Sequence, residues 1–189
     1  MKKLISILLA AVMVAAFAAC GSSNPGNNGG NDAVVTDPLA VLTKVWDSYT
    51  EDEKFPAAGG DYNNNTDGKP GAFDVSDTDN LEYLLTFPAA NADLIDNAAS
   101  IIHMMNTNTF SCGAFHVKNA ADTQTLAQAL RDNIQSRQWM CGFPDKLVVV
   151  TVSEVVVSLY GHEDLVNTFR DKLTAAYPAA VINFDEAIQ

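Results

Sequence analysis

The sequence predicts an α+β domain with a ferredoxin-like split βαβ core, ordered β-α-β-β-α-β, preceded by N-terminal helices and a long polar loop. Three observations carry this reading. Two β-branched runs, Leu147 to Val152 and Val155 to Tyr160, are separated only by Ser153-Glu154, which makes them a hairpin although its turn lacks the usual Gly. Segments near 122–138 and 162–176 carry apolar residues at helical spacing, Leu126, Leu130 and Ile134 in the first and Leu165, Val166, Phe169 and Leu173 in the second. Thr109 to Val117 before the first helix and Ala180 to Phe184 after the second read as strands. The expected result is a four-stranded antiparallel sheet with both helices on one face.

The chain opens on Met1-Lys2-Lys3 and the charge-free run Leu4 to Ala19. Those 16 residues are fewer than a spanning helix needs, so residues 1–19 read as an export signal. The segment ends in Phe17-Ala18-Ala19-Cys20-Gly21, which resembles the lipobox of bacterial lipoproteins, with Phe17 where Leu is usual. In that motif the cysteine is lipidated on sulfur and becomes the mature N-terminus. Cys20 is thus the expected lipidation site, and the expected address is the extracytoplasmic face of the cell membrane. Gly21 to Asp32, GSSNPGNNGGND, has no apolar side chain to bury and reads as a flexible tether over 20–33. Residues 34–189 are long enough for one α+β domain with its own core.

Without Lys2 and Lys3 the chain keeps nine basic residues against 23 acidic ones, a net charge of -14. Such a balance repels phosphate backbones and anionic headgroups, so nucleic acid and a polybasic membrane patch are disfavoured. Membrane attachment falls to the lipid.

Asp37 and Pro38 mark a helix start, and Leu39, Leu42, Val45, Trp46 and Tyr49 share one face of a helix over about 38–50. From Glu51 to Asp79 periodicity gives way to Gly, Asn, Asp and Pro, a long loop of the kind that often carries function. Asn80 to Phe87 reads as one or two helical turns, and Asn91 as the cap of a helix carrying Leu94, Ala98, Ile101, Ile102 and Met105. Asp122 caps the first core helix and Gly142 ends it.

The stretches Val45-Trp46-Asp47-Ser48-Tyr49, Lys54-Phe55-Pro56 with Gly59-Gly60-Asp61, His103-Met104-Met105-Asn106 and Trp139-Met140-Cys141-Gly142-Phe143-Pro144 resemble a group of uncharacterised lipoproteins of Gram-positive, clostridial-type gut bacteria. The likeness spans roughly residues 40–180. It implies a lipoprotein address and a single domain, and brings no activity to any position.

Asn63, Asn65, Asp67 and Asp74 stand at positions 1, 3, 5 and 12 of a twelve-residue calcium loop, with Gly68 at the turn position and the Lys69 carbonyl as a further ligand. Asn replaces Asp at the first position, Asp replaces Glu at the last, and Pro70 interrupts, so an Asn-rich surface of Asx turns is the competing reading. Cys112 and Cys141 are open to pairing as a disulfide in an exported protein, or to remaining thiols. His103, His116 and His162 lack ligand-spaced partners, and the signatures of cysteine hydrolases, P-loops and dinucleotide folds are missing. Asp61, Tyr62 and Phe73, beside the polar loop, are the candidate binding surface. An anchor, a tether and a small domain without an assembled catalytic motif point to a binding or accessory module. An envelope enzyme with a carboxylate or thiol site and a structural envelope lipoprotein are the alternatives.

Overall fold

The computed structural model describes residues 34–105 and 107–189. The expected export signal, the expected lipidation site Cys20 and the expected tether over 20–33 lie outside the described residues. Among the described residues no helix is long and apolar enough to cross a membrane.

Helix α1, Pro38–Trp46, starts where Asp37 Oδ1 accepts the N–H groups of Leu39 (2.9 Å) and Ala40 (3.2 Å). The long polar stretch is not one loop. It contains strands β1 (Ala57–Gly59), β2 (Thr66–Asp67) and β3 (Gly71–Phe73), followed by helix α2 (Thr78–Leu85). The helix expected after Asn91 is instead strand β4, Ile95–His103. β4 is buried on both faces over Ala98 to Ile101, so its apolar residues run continuously and do not alternate, and packing overrides the helix preference of its alanines. β1 and β3 pair in turn along the outer edge of β4.

β5 (Phe110–Val117), helix α3 (Thr123–Ser136), the hairpin β6 (Lys146–Val152) and β7 (Val155–Gly161), helix α4 (Glu163–Ala176) and β8 (Val181–Ala187) follow. The hairpin turns without Gly because Ser153 takes the positive φ, 57°. Asp122 makes no side-chain cap on α3; Asn119 caps the short 3-10 turn before it.

The sheet order is β2-β1-β4-β5-β7-β6-β8. The ferredoxin-like order would return the last strand to the free edge of β5, but β4 holds that edge and β8 pairs with β6. The connections β5-α3-β6 and β7-α4-β8 both step the same way across the sheet from strands that run in opposite directions. Crossovers of one hand then fall on opposite faces. Accordingly α1 and α4 cover one face and α2 and α3 the other, not one face together.

Candidate functional site

One end of the sheet gathers six of the nine large exposed apolar side chains among the described residues. The C-terminus of β4 delivers Ile102 and His103, the loop beyond it Met104 and Met105, and β5 starts there with Phe110 and Ser111. The segment after α3 supplies Arg137, Trp139, Met140, Cys141 and Phe143, and α2 presents Tyr83. Tyr62, Tyr83, Met104, Met105 and Phe143 are each more than half exposed, and Met140 is 92% exposed. Tyr62 and Tyr83 are in ring contact at 6.2 Å, which joins the polar hairpin to α2.

Three clefts meet at this end. A polar groove of about 450 Å³ lies along α2 and the end of α3, lined by Asp79, Glu82, Asn133 and Arg137 among others. A cleft of about 200 Å³ shares Tyr83 and Arg137 with it, and is walled by Ile102, His103, Ser111 and Trp139. A third, about 160 Å³, shares His103 and Ile102 and reaches Asp61 and Tyr62.

Thr86 organises the wall between them. It ends α2 in the left-handed region, φ 51°. Asn133 Nδ2 donates to its carbonyl at 2.8 Å, its hydroxyl donates to Tyr160 Oη at 3.0 Å, and Tyr160 donates in turn to the Leu84 carbonyl at 3.2 Å. Arg137 donates to Thr86 Oγ1 and, at 3.4 Å each, to the Glu82 and Tyr83 carbonyls. It thereby closes the C-terminus of α2, where a cation complements the helix dipole. Its guanidinium lies 5.0 Å from the Trp139 ring centroid. These residues lie far apart in sequence and form no motif, so nothing in the chain announces them.

His103 stacks on Phe55 at 4.9 Å and 14°, and its Nδ1 accepts the Met105 N–H at 2.9 Å. Burial, with the His162 charge nearby, lowers its pKa and keeps it neutral. The nitrogen that would act as a base is already occupied, so a Cys141–His103 catalytic pair is not assembled. Burial pushes the Cys112 thiol well up, away from nucleophilic use. His162 differs. Its Nδ1 meets Asp145 Oδ2 at 2.9 Å and its Nε2 the Thr107 carbonyl at 3.0 Å. Those two acceptors, Asp145 first, raise its pKa, and the ring ties the methionine-bearing loop to the end of β7.

Cys112 and Cys141 are free. Cys112 points into the core under α1 and α4, whereas Cys141 is exposed in the cleft on the α2/α3 side, so no disulfide joins them. Asp61 and Phe73 are buried, at 3% and 5%, and of the expected surface trio only Tyr62 is exposed. Asp61 Oδ1 accepts the N–H groups of Asn63 (2.7 Å) and Asn64 (2.8 Å), and Oδ2 accepts that of Asp74 (2.9 Å).

The calcium candidates are arranged as strand, turn and strand. Asp67 pairs with Ala58 in β2, Gly68 turns at φ 73°, and β3 follows. Asp74 Oδ1 already accepts the N–H (2.9 Å) and hydroxyl (2.7 Å) of Ser76, while Asn63, Asn65 and Lys69 face solvent. Among the described residues no group of three His, Cys, Asp or Glu side chains could hold a metal ion, and the Asn63 to Asp74 set supplies only two carboxylates. Millimolar calcium is therefore expected to leave the melting temperature of the parent and of Asp67→Ala within about 1 °C of their metal-free values. A rise of several degrees in the parent alone, with heat in a calorimetric titration, would restore the calcium reading.

Compared with known proteins, the chain matches no family model, no curated protein and no solved structure.

Proposed function

We propose that this is a lipid-anchored, extracytoplasmic binding or accessory protein whose binding surface is the end of the sheet around Tyr83, Met105 and Trp139. The observation that carries the binding reading is the concentration of six exposed Tyr, Met and Phe side chains around three joined clefts. Monomer surfaces rarely collect apolar side chains in this way without a use for them, and aromatic, Met and Arg side chains are those that interfaces favour. The anchor reading rests on Cys20 and its leader, and the resemblance to clostridial-type lipoproteins points the same way.

Mass spectrometry of the membrane fraction should find the chain beginning at a diacylglycerol-modified Cys20. Two acyl chains suffice for stable attachment where one is marginal, so Cys20→Ala should release or misprocess the protein. A secreted, unmodified form beginning elsewhere would sink the anchor. For binding the chain carries its own probes. Of its five methionines, Met1 and Met13 belong to the leader, and the other three, Met104, Met105 and Met140, all lie at this end. Methyl-labelled Met in the full mature chain carrying Cys20→Ala should respond to a panel of small organic probes. Three methyl signals indifferent to every probe would argue for a structural envelope protein instead.

A further inference from the structure

We propose that the cleft of about 200 Å³ between β4, β5 and the segment after α3 binds the carboxylate of a small apolar acid, with Trp139, Ser111 and His103 as its polar contacts. This rests on the binding reading above and names the ligand class.

The protein leaves side-chain hydrogen bonds unmade at this cleft. Trp139 Nε1 is buried without a partner, and an indole N–H can only donate. His103, with Nδ1 accepting from Met105, carries its proton on Nε2, and no described residue accepts it. Ser111 is 8% exposed, and its hydroxyl is bonded by no described residue. Leaving the Trp139 N–H dry costs free energy that a ligand acceptor recovers, while the His103 and Ser111 donors stay open to solvent and to a ligand. Tyr160, which also lines the cleft, has already spent its proton on the Leu84 carbonyl. The Trp139 and His103 ring N–H groups can only donate, and the Ser111 hydroxyl can donate as well.

Charge then selects the acceptor. The protein is strongly acidic, yet no Asp or Glu lines this cleft, whereas each of the other three described clefts carries at least one. The guanidinium of Arg137, held by the α2 carbonyls and stacked on Trp139, fixes a positive charge in the wall. Asp79 and Glu82 line the adjoining groove. A carboxylate offers acceptors only and meets no like charge here. Ile102, Leu84, Met105 and Phe110 leave room for an apolar body, and the volume falls below that of a drug-sized site, which limits the ligand to about one side chain with its acid. Two sources offer that chemistry: a free aromatic or branched-chain acid, and the C-terminal residue of a partner polypeptide.

The two tryptophans make the test. Trp46 Nε1 already donates to the Gly68 carbonyl at 3.0 Å and serves as the internal reference. In the full mature chain carrying Cys20→Ala, titration with phenylacetate or isocaproate should move the Trp139 indole N–H resonance downfield and leave that of Trp46 in place. Phenylethanol and phenethylamine should bind at least about tenfold more weakly. N-acetyl-alanyl-phenylalanine against its C-terminal amide separates the sources, since a polypeptide terminus predicts that the acid peptide outcompetes phenylacetate. Ser111→Ala should weaken acid binding, and Trp139→Phe, read on the Met105 methyl, should weaken it about tenfold with Trp46 undisturbed. Should the alcohol or amine move the Met methyls and Trp139 as well as the acid does, the cleft binds but the ligand class is wrong. Should no probe of any charge move either set of signals, both this proposal and the binding reading fall.

Discussion

Phe169→Ala should lower stability by about 3 to 5 kcal/mol, the cost of truncating a core phenylalanine. Phe169 is fully buried at the middle of α4, its ring 5.6 Å from Phe110 of β5 and 6.3 Å from Tyr49 beyond α1. The substitution therefore empties the place where α1, α4 and the sheet meet, and these rings lose tilted ring contacts as well as buried area. For a domain of this size the melting temperature should fall by roughly 10 °C. Urea unfolding of the mature chain measures it, and a change under about 0.5 kcal/mol, as at an ordinary surface position, would show that α4 does not pack as described. Leu130→Ala on α3 supplies the companion. Phe169 and Leu130 belong to separate clusters on opposite faces of the sheet, so their costs should add to within about 0.5 kcal/mol. Helices side by side on one face would share partners and couple.

What the sequence carried legibly was local. The hairpin, the two amphipathic helices and the start of α1 each announce themselves within a dozen residues, through β-branched runs, apolar stripes and the Asp37-Pro38 cap. Strand β4 did not. Asn97-Ala98-Ala99-Ser100-Ile101-Ile102 has no alternation because both its faces are covered, and small residues suit a strand lying against Gly113 and Ala114 of β5. Misreading that one strand as a helix leaves the edge of β5 open, and the ferredoxin-like order follows from the error. The candidate site was half legible. His103 to Met105 and Trp139 to Phe143 stand out in the chain as stretches without an evident chemistry, and folding makes them walls of one cleft. Their support by Thr86, Asn133 and Tyr160 depends on contacts across 47 to 76 residues, which local pattern cannot encode.

Asp61→Ala should cost about 2 to 4 kcal/mol, although the residue sits in a polar, Asn-rich segment. Its carboxylate accepts three backbone N–H groups, and without it those donors are left to whatever water can reach them. The neighbouring backbone has little room to adjust. Gly60 holds φ 85°, a Cβ there would lie 2.1 Å from the Asn64 carbonyl oxygen, and the Gly60 carbonyl accepts the hydroxyl of buried Ser100 at 2.8 Å. Asp61 thus pins the hairpin of β1 to β3 onto the edge of β4. Burial alone would raise its pKa, but the N–H groups of Asp74, Asn63 and Asn64 with the Asn64 amide outweigh burial, and the net shift is downward. The sign of the pH dependence follows. A carboxylate with a depressed folded pKa contributes its full stability above the unfolded value, about 3.9, and loses it as pH falls through the folded value below that. The stability difference between parent and Asp61→Ala should therefore be flat from about pH 5 to 8 and shrink below about pH 4. Asp61→Asn keeps an acceptor for the Asn63 and Asn64 N–H groups but turns its amide N–H₂ toward the Asp74 N–H, so it should recover only part of the loss. A difference that stays constant well below pH 4, or an Asn variant as stable as the parent, would mean that the carboxylate charge does not hold the hairpin.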